Sequence, residues 1–263
     1  MTPAGHDSDA GVEAAAPGPG EPVTASAGEM WDRRFAEQPW PSVPDPYLVE
    51  FAGLLPPGRG LDLGAGPGRN SLWLAARGWD MTLVDISRVA LDQATAAAKG
   101  RPAGTHTRPA GTHTRPTAHT PARPITTVHA DVLAWQPEES RFDLVIVANL
   151  HPGPDALAAV LARGARALRP GGHLYVVGHH VATLGRHGPP DPDRLLTADR
   201  LRSALPETLS VEVLDTRHRA ADHGDPAGDP AGHPAGHPDG QPAGDTVVLA
   251  WATRPATPGA DRR

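Results

Sequence analysis

The segment spanning residues 60–87 constrains the fold more than any other part of the chain. An apolar run at residues 61–63 leads into a glycine-rich turn at residues 64–68, and a helical pattern follows the turn. A second apolar run occupies residues 81–84. This order predicts a strand, a turn, a helix and a second strand, which is the repeating unit of a parallel α/β sheet. Because glycine turns in such units hold ligands against the backbone, the segment also predicts a binding site.

The spacing of the glycines discriminates between classes of ligand. Folds that bind nicotinamide or flavin dinucleotides need a third small residue three positions after the second glycine. Counting from Gly64 and Gly66, that position is Arg69, so the dinucleotide fingerprint fails. The third glycine is instead Gly68, and Asp62 lies two residues before the first one. A glycine turn that serves packing alone is the alternative interpretation.

An acid, an apolar residue and then G-x-G-x-G form the first motif of class I S-adenosylmethionine-dependent methyltransferases, and residues 62–68 resemble it. The resemblance implies that the three glycines admit the methionine part of S-adenosyl-L-methionine and that Asp62 attracts its ammonium group. It also implies that Asp85, about 20 residues beyond the turn, holds the ribose hydroxyls, with Ile86 beside it in the cofactor site.

A third apolar run, residues 125–128, is followed by Asp131 and Val132. In the resembled family, an acid at this place accepts a hydrogen bond from the adenine amino group, and the next residue covers the ring. The resemblance therefore implies that Asp131 and Val132 bind adenine. The alternative is that Asp131 caps a helix.

The fourth apolar run, residues 142–147, is continuous and is typical of a strand buried on both faces of a parallel sheet. Its carboxyl end should face the ligand crevice, which places Asn149 and His151 near the transferred methyl group. We assign Asn149 to the cofactor site. His151 is the candidate catalytic residue, a general base with a near-neutral pKa, although it could equally pack within the loop beside Pro152.

Aromatic residues make up 4% of the chain, yet five lie close together near its start: Trp31, Phe35, Trp40, Tyr47 and Phe51. They predict two short helices, separated at residues 41–46, that pack on the edge of the sheet. A second interpretation is that Trp31 or Trp40 also covers the cofactor or the substrate, because a flat aromatic face suits a methylsulfonium cation. The segment W-D-x-R-F at residues 31–35 resembles one in bacterial tellurite-resistance-type small-molecule methyltransferases.

The chain as a whole is predicted to be α/β, with seven strands and with helices between the first five. The resemblance implies a Rossmann-like three-layer sandwich, mostly parallel, whose antiparallel last strand inserts between its neighbours. We expect this domain to span residues 28–254. Low-complexity insertions at 100–124 and 222–244 interrupt it, and disordered tails occupy 1–27 and 255–263.

Composition excludes several classes of function. The chain has no cysteine, so thiolate metal sites and cysteine nucleophiles are excluded. Its net charge of -6 argues against a nucleic-acid partner, and no apolar run approaches the ~18 residues of a membrane helix. We therefore expect a cytoplasmic protein, a monomer or weak homo-oligomer, without a membrane partner. Three histidines recur in the first insertion, but no metal site is predicted from them: His106, His113 and His119.

These observations together predict a methyltransferase that uses S-adenosyl-L-methionine and a small-molecule acceptor. Two rival hypotheses remain open at this stage. One is a noncatalytic nucleoside-binding α/β protein, which would bind the cofactor without forming a methylated product. The other is a nicotinamide-dependent oxidoreductase, which Arg69 disfavours.

Overall fold

The computed structural model describes residues 26–100, 123–220 and 244–256. Seven strands within these ranges form one sheet: β1 (Arg59–Leu63), β2 (Asp80–Asp85), β3 (Ile125–His129), β4 (Phe142–Ala148), β5 (Leu168–His179), β6 (Ser210–Ala220) and β7 (Gly244–Thr253). Their order across the sheet is β3-β2-β1-β4-β5-β7-β6.

The sheet is parallel from β3 to β5, and β7 runs antiparallel between β5 and β6. The predicted fold class is confirmed, including the insertion of the last strand between its neighbours. The prediction of a helix between β3 and β4 is wrong, because residues 130–141 form turns and loop there. Since β1 lies between β2 and β4, the chain order reverses beside β1. In open α/β sheets such a reversal opens a ligand crevice at the carboxyl ends of the strands.

Six α-helices lie in the described ranges: α1 (Ala27–Glu37), α2 (Pro46–Ala52), α3 (Arg69–Ala75), α4 (Arg88–Gly100), α5 (Pro154–Ala167) and α6 (Ala198–Ala204). One buried apolar cluster joins α5 and α6 to one face of the sheet, and a second joins α2, α3 and α4 to the other face. Alternate residues of β4 enter the two clusters, with Val145 in the first and Leu144 in the second. The prediction that β4 is buried on both faces is therefore confirmed.

The two amino-terminal helices are separated where the sequence predicts, because each has its own capping residue. Ser26 and Glu29 form a capping box at the start of α1. The Asp45 carboxylate accepts from the first backbone amides of α2, and Pro46 occupies the first turn.

Two strands extend beyond their apolar residues. Residues 169–172 belong to β5, where Gly171 donates its N–H to the Arg254 carbonyl at 2.7 Å. β6 continues past Leu214 to Ala220. Its second half is polar and pairs only with β7, and at the edge of a sheet a strand can carry polar residues on its exposed face.

Most of the predicted tails and insertions lie outside the described residues. At their margins, Ser26 and Ala27 already belong to the capped start of α1, and Gly244 begins β7. The histidines of the first insertion also lie outside the described ranges.

Candidate active site

The glycine turn between β1 and α3 is left-handed at each of its three glycines. The φ angles are 75° at Gly64, 53° at Gly66 and 79° at Gly68, a region that residues with a Cβ atom rarely adopt. The N–H groups of Gly64 and Ala65 both donate to the Val84 carbonyl, at 2.9 and 3.2 Å. The turn is therefore fastened to the end of β2, with its backbone at the edge of the crevice.

Asp85 at the tip of β2 holds the same turn through its side chain. One carboxylate oxygen accepts from the N–H of Gly66 at 2.8 Å, and the other accepts from the N–H of Ser87 at 2.8 Å. Burial raises the pKa of Asp85, while these backbone donors act in the opposite direction. Each oxygen retains a lone pair, so the carboxylate can still accept from a ligand hydroxyl.

Asp62 is buried on β1, and the hydroxyl of Ser71 donates to it at 2.7 Å. Desolvation raises the pKa of Asp62 to about 7, an effect that the Ser71 hydrogen bond opposes and the nearby charge of Asp85 reinforces. A buried carboxylate of this kind gains stability from a cation placed beside it.

The aromatic residues of α1 and the following segment pack on the glycine turn. The Phe35 ring lies 4.6 Å from that of Trp40 and 5.6 Å from that of Trp31, measured between centroids. A Cβ atom at Gly66 would lie 3.3 Å from the Phe35 ring. The structure thus brings both predicted tryptophans to the turn. The indole N–H of Trp40 is buried and has no hydrogen-bond partner among the described residues.

Asp32 fastens α1 over this site, a role that sequence reasoning missed. Its carboxylate accepts from the Ser87 hydroxyl at 2.6 Å and from the Val89 N–H at 3.0 Å, both at the start of α4. The Gln93 side chain of α4 also donates to the Phe35 carbonyl at 2.9 Å. The W-D-x-R-F pattern marked Asp32, but only the structure shows what it contacts.

The end of β4 contributes Asn149, which has a left-handed backbone with φ of 55° and donates its N–H to the Val177 carbonyl at 2.8 Å. Its side-chain oxygen is buried and has no partner among the described residues. A buried acceptor without a partner is costly, so this oxygen marks a place where a ligand donor fits. Leu150 follows, and its side chain lies 3.0 Å from where a Cβ atom of Gly64 would be.

His151 differs from the expected general base. It is buried, its Nδ1 lies 2.9 Å from the Arg194 carbonyl, and its Nε2 accepts from the His179 N–H at 3.3 Å. Burial lowers the pKa of His151 to about 4, and the neighbouring His179 adds to this effect. Burial therefore favours the neutral imidazole over the near-neutral pKa that a general base would have. Backbone groups also occupy both ring nitrogens, which agrees with the alternative interpretation that the side chain packs within its loop.

The candidate adenine residues lie beside the tip of β2, where the Ala130 N–H donates to the Asp85 carbonyl at 3.0 Å. Asp131 is exposed, and its carboxylate accepts from the Leu133 N–H at 2.8 Å in a turn rather than a helix. Val132 packs into the core cluster. Ile86 is half-buried, and its carbonyl lies 3.0 Å from a ring nitrogen of His129.

Sequence reasoning missed a group of charged and polar side chains, here called the buried polar cluster: Asp45, Tyr175, Arg219, Asp245 and His179. The Asp45 carboxylate accepts from the Tyr175 hydroxyl at 2.8 Å and from the Arg219 guanidinium at 2.9 Å. Arg219 also donates to Asp245 at 2.6 Å. These residues come from four elements, so no local pattern in the sequence points to them.

Residues 61–176 match the family model described as "Methyltransferase domain". Over residues 61–176, from β1 into β5, the chain is therefore similar to methyltransferase domains. The match begins in β1, includes the glycine turn and ends within β5, so it contains the crevice formed by β1, β2 and β4. The comparison with curated proteins finds no match.

Solved structures of other proteins share this fold at low sequence identity. One described as "Conversion of a Disulfide Bond into a Thioacetal Group during Echinomycin Biosynthesis" has a TM-score of 0.62 and 23% identity, covering 89% of this chain and 94% of that chain. N-methyltransferase NodS from Bradyrhizobium japonicum, in complex with S-adenosyl-L-homocysteine, has a TM-score of 0.56 and 19% identity, covering 87% and 98%. TehB from Haemophilus influenzae has a TM-score of 0.56 and 15% identity, covering 80% and 62%.

Two further findings concern the described residues only. No group of three or more metal-ligating side chains could hold a metal ion in these ranges. No helix within them is long and apolar enough to cross a membrane.

Proposed function

We propose that the methyltransferase domain transfers a methyl group from S-adenosyl-L-methionine to a small-molecule acceptor at the crevice above β1, β2 and β4. The observation that carries this proposal is the junction of Asp85 with the glycine turn. The Asp85 carboxylate accepts from Gly66, the middle one of three left-handed glycines, at the edge where the sheet order reverses. This is the geometry that a strand, turn and helix need in order to bind a nucleoside.

The residues present fit the cofactor. The buried side-chain oxygen of Asn149, which has no hydrogen-bond partner among the described residues, can accept a hydrogen bond from a ligand. The buried carboxylate of Asp62 can pair with an ammonium group. We assign the methionine part of the cofactor to the glycine turn, at Gly64, Gly66 and Gly68. We assign the ribose to Asp85. The adenine is assigned to Ile86, Asp131 and Val132.

The cofactor supplies an electrophilic methyl group on a positively charged sulfur when it is bound. The residues of the chain orient the cofactor and keep water out of the site. The glycine turn and Asp85 hold the nucleoside in place, and the aromatic residues on the turn exclude water. The Arg34 guanidinium lies 5.3 Å from the ring centroid of Trp31 and 5.8 Å from that of Trp40, so both rings already contact a cation. We assign Trp31 and Trp40 to the substrate side of the site. Positioning of this kind supplies much of the acceleration without an acid or a base. We therefore give His151 a structural role in its loop.

A small acceptor fits the same geometry. The aromatic residues and α1 lie directly over the glycine turn, which narrows access to the crevice. The net charge of -6 disfavours nucleic acid as the acceptor.

Calorimetric titration with S-adenosyl-L-methionine tests the assignment of Asp85. We expect Asp85→Ala to weaken binding by about 1–3 kcal/mol, because the ribose hydroxyls and the Gly66 N–H lose their buried acceptor. The matched control is Asp80→Ala at the opposite end of the same strand, which should bind as the unchanged protein does. Equal affinities for Asp85→Ala and Asp80→Ala would refute the assignment.

Turnover is tested separately with methyl-labelled cofactor and a small-molecule extract of cells. Incorporation of label into a product supports the transferase. Tight cofactor binding without any labelled product would favour the rival hypothesis of a noncatalytic nucleoside-binding protein.

A further inference from the structure

One face of α1 presents an arginine and two aromatic rings to the glycine turn. Arg34 and Phe35 follow Trp31 by three and four residues, a spacing that places side chains on the same side of a helix. Phe35 is buried and lies against the turn, 3.3 Å from where a Cβ atom of Gly66 would be. The side of α1 that carries Arg34 is therefore the side that packs toward the turn.

The positive charge of Arg34 has no counter-ion within the part of the chain that the structure describes. Its guanidinium lies over the rings of Trp31 and Trp40, and it forms no ion pair with a described carboxylate. Two acids of α1 are engaged elsewhere, since Glu29 accepts from the Ser26 N–H and Asp32 accepts from α4. A guanidinium that stacks on aromatic faces keeps its N–H groups free to bind a carboxylate.

The indole N–H of Trp40 is a second donor beside the same guanidinium. It is buried and has no hydrogen-bond partner among the described residues, although an indole nitrogen can only donate. Trp40 lies in the connection between α1 and α2, so its ring can turn toward a ligand without disturbing either helix. A ligand oxygen would satisfy a donor that is costly to leave unpaired.

We propose, on the basis of the methyl transfer proposed above, that Arg34 and Trp40 form a carboxylate subsite over the glycine turn. Arg34 contributes the charge and Trp40 contributes a hydrogen-bond donor from its indole nitrogen. The carboxylate belongs either to the amino-acid end of the cofactor or to an acidic acceptor, and both sources present the same group to these two side chains.

A carboxylate fits this pair of donors better than a neutral or cationic group does. Its two oxygens match the planar fork of a guanidinium, and a lone pair remains for the indole N–H. An ammonium group offers no acceptor to either donor and is repelled by Arg34. At the same end of the crevice, Asp62 provides the complementary partner for an ammonium group.

The first arm of the test asks whether the carboxylate comes from the cofactor. S-adenosyl-L-homocysteine and S-adenosyl-3-thiopropylamine, which lacks only the carboxylate, are titrated calorimetrically into the full-length protein. If the cofactor is the source, S-adenosyl-L-homocysteine should bind at least roughly tenfold more tightly than the amine. Arg34→Gln should remove most of this preference without weakening the binding of the amine.

The second arm asks whether the carboxylate comes from the acceptor. Hydrocinnamate and phenethylamine present similar rings with opposite charges, and each is titrated into the protein saturated with S-adenosyl-L-homocysteine. If the acceptor is the source, hydrocinnamate should bind at least roughly tenfold more tightly, and Arg34→Gln should abolish the difference. The preference measured in the first arm would then be unaffected by Arg34→Gln.

Two further variants separate recognition of the carboxylate from general effects on the helix. Arg33→Gln makes the same change of charge at the neighbouring exposed position of α1 and should keep both preferences. Trp40→Phe retains an aromatic ring but removes the N–H, so it should reduce the preference for the carboxylate by roughly threefold or more. An equal loss for the carboxylate and the amine would show instead that the ring only packs.

Failure of the subsite differs from failure of the proposed function. If S-adenosyl-L-homocysteine binds tightly but Arg34→Gln changes the carboxylate preference in neither arm more than Arg33→Gln does, the subsite is overturned and the methyl transfer stands. Absence of binding by both nucleosides in the unchanged protein would count against the proposed function and the subsite together.

Discussion

At the scale of single residues, Asp62, which we propose binds the cofactor, also lowers the stability of the fold at high pH. Its carboxyl group is buried on β1, and desolvation raises its pKa to about 7. The folded state therefore holds a proton that the unfolded state releases above the ordinary pKa of 3.8. The stability that the protonated form contributes is complete below that value and is lost as the pH rises through about 7.

We predict that Asp62→Asn stabilises the protein above pH 7 and weakens the binding of S-adenosyl-L-methionine. The amide keeps an acceptor for the Ser71 hydroxyl but carries no charge, so the melting temperature without cofactor should rise by roughly 5 °C at alkaline pH. The difference should shrink as the pH falls. Melting curves across the pH range and calorimetric titration measure the two effects.

The exposed Asp199→Asn on α6 is the control for Asp62→Asn, since it should change neither quantity. A melting temperature for Asp62→Asn that is lower than that of the unchanged protein at alkaline pH would contradict the prediction.

At the scale of secondary-structure elements, the Asp32 carboxylate makes two of the hydrogen bonds that hold α1 against α4. Asp32 accepts from the Ser87 hydroxyl and the Val89 N–H at the start of α4, which Ser87 also caps through the Ala90 N–H at 3.1 Å. We predict that Asp32→Ala costs about 1 kcal/mol of unfolding free energy, measured by urea denaturation. It should also increase amide hydrogen exchange in α1 and weaken cofactor binding.

Glu37→Ala, exposed at the other end of α1, is the matched control for Asp32→Ala. Unchanged hydrogen exchange in α1 of Asp32→Ala would show that this helix is held by its aromatic contacts alone.

At the scale of the whole molecule, Arg219 connects parts of the chain that are distant in sequence. Its guanidinium bonds to Asp45 before α2 and to Asp245 at the start of β7, and all three side chains are buried. We predict that Arg219→Ala lowers the unfolding free energy by about 3–5 kcal/mol, because two carboxylates lose their buried partner. Equilibrium denaturation measures this loss.

Arg217→Ala is the comparison for Arg219→Ala on the same strand. Arg217 pairs with Glu50 and Asp215, whose side chains are 52% and 49% exposed, so its loss should cost less than about 1 kcal/mol. Equal costs for the two variants would contradict the structural role of the buried polar cluster.

The elements of this fold follow from local sequence patterns. The run at residues 142–147 is apolar except for Asp143, and it forms a strand with core clusters on both of its faces. β5 and β6 extend beyond their apolar residues, and pairing with neighbouring strands holds the additional residues. Strand ends are set by partners that lie far away in sequence, which local periodicity does not show.

The sequence by itself determined the order of the strands, the glycine turn and the acids at the ends of β1 and β2. These features depend on residues close together in the chain, and a left-handed turn requires glycine wherever the rest of the fold lies. Only the tertiary structure decided the environment of His151 and the existence of the buried polar cluster. From sequence alone, three charged residues would be expected at the surface: Asp45, Arg219 and Asp245. They form a buried network because the sheet brings β5, β6 and β7 together beneath α2. The charges and contacts of these side chains depend on burial and on pairing between residues that are distant in sequence. A local sequence pattern predicts neither of these.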